Sequence, residues 1–357
     1  MTPDMTNPDR RRNDPWGRVP APGPAPIPVA VVRSALVESR HAVSCAVADA
    51  EGRVVMRWGD IGGPVFPRSA IKMLQSLPLV ESGAADRFGC SPADLALSCA
   101  SHGGEPIHAE KVGQWLARMG RSADDLVCGA HWPMSAGATR ELAARGQRPT
   151  RLHNNCSGEH TGMIATALHL GEAVAGYERA DHPVQRRITS ALAGICGFDV
   201  ATAPIGIDGC SAPTIGIPLD RMAIGLARFG APDSLPPVRA AACRRLAAAM
   251  AAEPYMVAGA GRLCTAINGA AGGRVIVKTG AEGVYAAILP ERGWGLALKV
   301  ADGATRAAET ALAALLHHMD VMDDALHRAI AAVSGPVIKN WAGLSVGRIG
   351  VAADIGF

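Results

Sequence analysis

The chain has 357 residues and a net charge of +3, long enough for a large core and with its arginines scattered rather than banked on one segment. That balance excludes the electrostatic footprint of a nucleic-acid or anionic-membrane binder. Nine cysteines without regular spacing do not read as a disulfide framework, so a reducing cytoplasm is the expected compartment.

Taken in order, residues 1–28 are crowded with Pro, Arg, Asn and Asp and read as a disordered tail. The triple Arg10-Arg11-Arg12 is followed by no hydrophobic segment, so it is not read as an export signal. No later stretch holds the eighteen or so uninterrupted apolar residues needed to span a bilayer. Strand-like patterns follow at Val29–Val37, His41–Ala48 and Arg53–Arg57, with Glu51-Gly52 as a turn. After Asp60-Ile61-Gly62-Gly63-Pro64 a helix is expected from about Pro67 to Leu77, stopped by Pro78. The middle is alanine-rich, with helices expected at Ile107–Met119, Glu159–Leu170, Pro183–Leu192, Leu219–Phe229 and Pro237–Ala252. Strand patterns return at Arg274–Thr279, Gly283–Leu289 and Trp294–Val300, before a helix at about Ala304–Met319. Strands at both ends of the chain thus bracket a helical middle. The expected architecture is α/β of the α+β kind. One antiparallel sheet lobe (about 29–85 and 265–357) stands beside a helical lobe (about 86–264).

Two motifs carry chemistry. Ser69-Ala70-Ile71-Lys72 places a hydroxyl and an amine three residues apart, neighbours on one helical face. A serine becomes a nucleophile when a base takes its proton, and a lysine is such a base once its pKa falls from about 10.4 to roughly 7–8. Alone, Ser-x-x-Lys is a short pattern that chance also produces. Lys278-Thr279-Gly280, ending a strand, is the partner motif of Ser-x-x-Lys enzymes of the β-lactamase and penicillin-binding kind. With five lysines in the chain, its chance count is only about 0.03. Between them that architecture wants a proton-relay serine, and Ser101-His102-Gly103-Gly104-Glu105 supplies the loop, although no Asn stands two residues beyond Ser101. Cys156, Glu159 and Cys210 are a separate matter. Two thiolates and a carboxylate could bind zinc if their loops meet in space; the alternative is buried structural cysteine.

These segments in this order resemble the rhizobial-type L-asparaginases, the asparaginase II family. The likeness runs through Val37-Glu38-Ser39-Arg40-His41, Arg68–Lys72, Ser101–Glu105, Asn154–His160, Asp208-Gly209-Cys210 and Lys278–Gly283, and covers nearly everything from about residue 29 onward. It implies a fold similar to the glutaminase and serine β-lactamase group and hydrolysis of L-asparagine to aspartate and ammonia. By the same resemblance, Ser69 matches the nucleophile, Lys72 its base, Ser101 a second active serine and Lys278 the lysine supporting both. Asp208 matches a substrate-binding carboxylate, and His102, Glu105, Thr279 and Gly280 are expected to contact substrate. The family's zinc site matches Cys156 and Cys210 plus a lysine, where this chain has Glu159. The substrate is expected to be a free small molecule, with no nucleic-acid or membrane partner, and the protein a homodimer. Competing readings are a glutaminase or β-lactam-type hydrolase, and a non-catalytic amino-acid-binding homologue.

Overall fold

The computed structural model describes residues 15–352. Its main sheet has eight strands: β1 (Ile27–Arg33), β2 (Leu36–Asp49), β3 (Val54–Trp58), β4 (Ile276–Thr279), β5 (Val284–Leu289), β6 (Trp294–Val300), β7 (Val337–Lys339) and β8 (Ser345–Val351). The strand order is β7-β8-β1-β2-β6-β5-β4, with β3 beside the second half of β2, and every pairing is antiparallel. Both ends of the chain therefore build one sheet, in an α/β fold of the α+β kind.

The sheet is covered on both faces. Along β5, Val284, Ala286 and Ile288 join the core shared with the helical middle of the chain. Tyr285, Ala287 and Leu289 join a second core beneath the helices Leu263–Ala271, Thr305–His318 and Asp324–Val333. This is period-2 alternation with both sides apolar, so the strand reads as an unbroken hydrophobic run. The helix Leu219–Gly230 lies directly on β6. A Cβ on Gly295 would come within 2.2 Å of Ala223 O, so only glycine allows that approach.

Residues 15–28, read above as part of a tail, are packed. Trp16 and Ile27 are fully buried, Trp16 Nε1 donates to Ser334 O at 2.8 Å, and Val351 N donates to Trp16 O at 2.6 Å. Proline-rich composition hid a tryptophan anchor. Residues 1–14 lie outside the described residues. The expected break between the first two strands also moves: β2 runs unbroken for 14 residues, and the turn falls at Ser34, where φ is 52°.

Two short pairings bring the middle of the chain to the sheet. Pro64–Val65 pairs with Ile217–Pro218, fixing the segment just before Ser69. Ile205–Ile207 pairs with Pro213–Ile215, and the tip of that hairpin carries Asp208 and Cys210.

Candidate active site

Ser69 sits in the 3-10 turn Arg68–Ile71, which runs on into the helix Lys72–Gln75. The residue before it is strained: Arg68 has φ 51°, in the left-handed region that a bulky side chain avoids. Its guanidinium is clamped by Asp208, with Nε to Oδ2 at 2.6 Å and Nη2 to Oδ1 at 3.1 Å. A planar fork on a carboxylate holds the arginine, and so the turn, in one orientation. Burial favours the neutral acid, but the hydrogen bond and charge of Arg68 outweigh it and hold Asp208 below the usual carboxylate range. The Ser69 hydroxyl is half-buried and has no hydrogen-bond partner among the described residues.

Gly280 explains how the second motif reaches the first. A Cβ there would lie 2.7 Å from Pro67 O and 3.1 Å from Ala70 N, so the end of β4 packs backbone to backbone on the turn that carries Ser69. Gly280→Ala must push the two apart, because both obstructing atoms are main chain. The expected result is a kcat reduced roughly tenfold to a hundredfold in a folded protein, measured together with Tm.

The two lysines are both buried but titrate in opposite directions. Lys278 Nζ lies 2.9 Å from Ser101 Oγ and donates to Thr279 O at 2.8 Å. Burial is the main cause that lowers its pKa to about 7; the nearby thiol of Cys264 opposes this, while Lys72 and Arg262 add to it. Lys72 Nζ donates to Ala100 O at 2.8 Å and lies 3.0 Å from Glu159 Oε2. Burial pulls it down too, but the charges of Cys156 and then Glu159 outweigh it and its pKa is raised. The shift of Lys72 is thus opposite in direction to the lowering that its spacing to Ser69 leads one to expect of a base. The lysine whose pKa is lowered is Lys278.

Cys156, Glu159 and Cys210 converge: one ligand atom from each lies within 4.8 Å of the others, and all three residues are buried. Gly158 makes this possible, since a Cβ there would meet Leu97 O at 2.3 Å, and the helix Ser157–His169 packs that closely on its neighbour. A hydrogen bond from Cys210 is the main cause that brings the Cys156 thiol down to about 5, against burial and with help from Lys72. Cys210 moves the other way and keeps its proton. Burial pushes Glu159 up to about 7, with Lys72 opposing. Its Oε2 is 3.0 Å from Lys72 Nζ yet has no aligned hydrogen-bond donor among the described residues. Two sulfurs and an oxygen with an unsatisfied buried lone pair fit zinc in number and type. Lys72 competes for the same oxygen.

The remaining expected contacts divide. Ser69, Ser101, Asp208, Thr279 and Gly280 all open onto one cleft of about 640 Å³. His102 and Glu105 do not. His102 is fully buried, with Nδ1 accepting from Gly104 N at 3.1 Å and Nε2 donating to Ser157 Oγ at 3.0 Å. Glu105 accepts from Ala260 N at 3.2 Å. Their side chains brace the loop that holds Ser101, whose own N–H donates to Val257 O at 3.0 Å. The resemblance places them at the substrate, but the loop turns their side chains inward. Sequence reasoning missed Arg262, Glu282 and Glu309 on the cleft wall. Glu282 stands two residues beyond the Lys-Thr-Gly run, whereas Arg262 and Glu309 stand in no motif.

Solved structures similar to this chain include a class C β-lactamase variant, at 14% identity over 78% of this chain and 92% of that one, with a TM-score of 0.39. A β-lactamase from Mycobacterium bovis is 12% identical over 82% and 95%, with a TM-score of 0.35. A D-alanine carboxypeptidase from Burkholderia cenocepacia is 13% identical over 78% and 93%, with a TM-score of 0.38. Comparison with curated proteins returns no match. The family model for L-asparaginase II matches residues 29–351, and the chain belongs to that family of amide hydrolases.

Proposed function

We propose that the enzyme hydrolyses L-asparagine to L-aspartate and ammonia through an acyl-enzyme on Ser69, with Lys278 as the base. The observation that carries this reading is the 2.9 Å contact between Ser101 Oγ and a Lys278 whose pKa burial lowers to about 7, in the cleft that Ser69 also lines. Ser69 Oγ attacks the side-chain amide carbon. Its proton passes to Ser101 Oγ as the Ser101 proton passes to Lys278 Nζ. The Ser69 N–H, which donates to no described group, would serve the developing oxyanion, with Lys72 one turn behind it. Lys278 then returns the proton to the leaving nitrogen, ammonia departs, and water cleaves the resulting ester. Ammonia release from L-asparagine, L-glutamine, a simple aliphatic amide and a β-lactam, assayed side by side, tests the reading. Turnover of the lactam alone would replace it with the β-lactam-type hydrolase, and binding without turnover would make the chain an amino-acid-binding homologue. The same reading takes the enzyme as a cytoplasmic homodimer, consistent with nine unpaired cysteines.

Zinc belongs to this proposal as the ion that Cys156, Glu159 and Cys210 would hold, and there it would supply Lewis acidity beside the substrate's charged groups. Purified protein is expected to hold about one equivalent of zinc by elemental analysis. Glu159→Gln should weaken zinc binding at least about tenfold, because a neutral amide replaces an anionic ligand. A metal-free protein indifferent to chelator would leave Glu159 as the counter-ion of Lys72 alone.

A further inference from the structure

Resting on that reading of the cleft, we propose that Arg262 binds the free α-carboxylate of the substrate and so makes the enzyme select amino-acid amides over other amides. The argument is one of unspent charge. Arg68 is committed to Asp208 through two hydrogen bonds. Lys72 is buried beneath the turn with Glu159. His131 is engaged by its own loop, with Nε2 accepting from Asn155 N at 3.1 Å and Nδ1 2.6 Å from Trp132 O. Arg262 is the remaining cation of the cleft wall. It forms no ion pair among the described residues, and its one hydrogen-bond contact is with the sulfur of Met134, at 4.0 Å. A half-buried guanidinium with an unfilled fork, lining the cavity of the reacting groups, is matched by a carboxylate.

Its position is built rather than incidental. Arg262 caps the helix Leu263–Ala271 at the end of a loop that turns through Gly259 and Gly261, with φ of 97° and 65°. That loop is tied down at both edges, by Glu105 accepting from Ala260 N and by Thr265 Oγ1 donating to Gly259 O at 2.6 Å. A Cβ on Gly259 would lie 2.7 Å from Glu105 Oε2. The carboxylate of Glu105 thus reaches the substrate indirectly, by fixing the backbone from which Arg262 projects. Glu309 lines the same cleft; burial raises its pKa, and the charge of Arg262 opposes that rise.

The test uses L-asparagine and its α-amide, in which a neutral carboxamide replaces the α-carboxylate, with release of L-aspartate, or of its α-amide, followed so that only side-chain hydrolysis is counted. Each enzyme is assayed on the plateau of its own pH profile, since removal of a neighbouring cation raises the pKa of Lys278. Wild type should prefer L-asparagine, and Arg262→Gln should raise its KM roughly 10- to 100-fold with little change in kcat, erasing the preference, while Arg262→Lys recovers part of it. Calorimetry with L-aspartate gives a readout that needs no turnover: wild type binds and Arg262→Gln loses the binding by the same factor. An unchanged KM, or equal losses on both substrates, would overturn the assignment, as would a wild type that does not bind aspartate. Failure of wild type to release ammonia from any amide, with aspartate binding still dependent on Arg262, would overturn the proposed reaction and leave the carboxylate site standing.

Discussion

Ser69→Ala is expected to lower kcat by at least about a thousandfold while leaving the protein folded, because it removes the atom that forms the covalent intermediate. The stability side follows from what the hydroxyl touches. It accepts and donates no hydrogen bond among the described residues and does not cap the helix that follows. Its loss should cost no more than about 0.5 kcal/mol, the scale of a substitution without a structural role. Thermal unfolding of the variant should superimpose on wild type, and no acyl-enzyme should appear by mass spectrometry after rapid quenching. Ser101→Ala makes the contrast. It breaks the contact with Lys278 but leaves the nucleophile, so the acyl-enzyme should still form, slowly. A Ser69→Ala protein retaining more than a few per cent of wild-type kcat would transfer the nucleophile's role to Ser101.

Much of this arrangement was readable from the chain. Lysine is scarce enough for Lys72 and Lys278 to stand out, each inside a motif, and the strands at the two ends could be joined into one sheet. What was not readable is whatever depends on residues distant in sequence. Spacing alone makes Lys72 the partner of Ser69. The direction of its pKa shift, however, is set by Cys156 and Glu159, which arrive at a helix start far along the chain. His102 and Glu105 are expected at the substrate only through the family resemblance. Their orientation depends on the partners Ser157 and Ala260, which no local pattern announces. The helix Leu263–Ala271 and the strands β7 and β8 went unread for another reason. The helix is short and holds a glycine, and an asparagine occupies one of its buried positions, while the strands are short or glycine-bearing with exposed residues. Trp16 shows the opposite failure, where one fully buried side chain outweighs the composition of its neighbours.

Lys278→Met should reduce kcat by about 10²- to 10⁴-fold, the range for loss of a positioned general base, and should also remove a feature of the pH profile. In wild type, burial disfavours the ammonium form, so Lys278 is neutral above about pH 7 and able to accept a proton. Activity should therefore rise with pH through an inflection near 7 and then level off, whereas the residual activity of the variant should lack that inflection. Stability moves in a linked way. The folded pKa lies below the unfolded value of about 10.4, so between the two the unfolded chain binds more protons, and wild-type stability rises as pH increases across that window. Methionine fills a similar volume and carries no such proton. Relative to wild type the variant should be most stable at or below pH 7, and the advantage should shrink towards pH 10. Paired Tm measurements at pH 7 and pH 10 check this sign independently of catalysis. A wild-type profile still climbing at pH 10 without an earlier inflection, or a Tm difference that grows with pH, would mean that Lys278 is protonated in the folded enzyme, and the base would have to be sought elsewhere in the cleft.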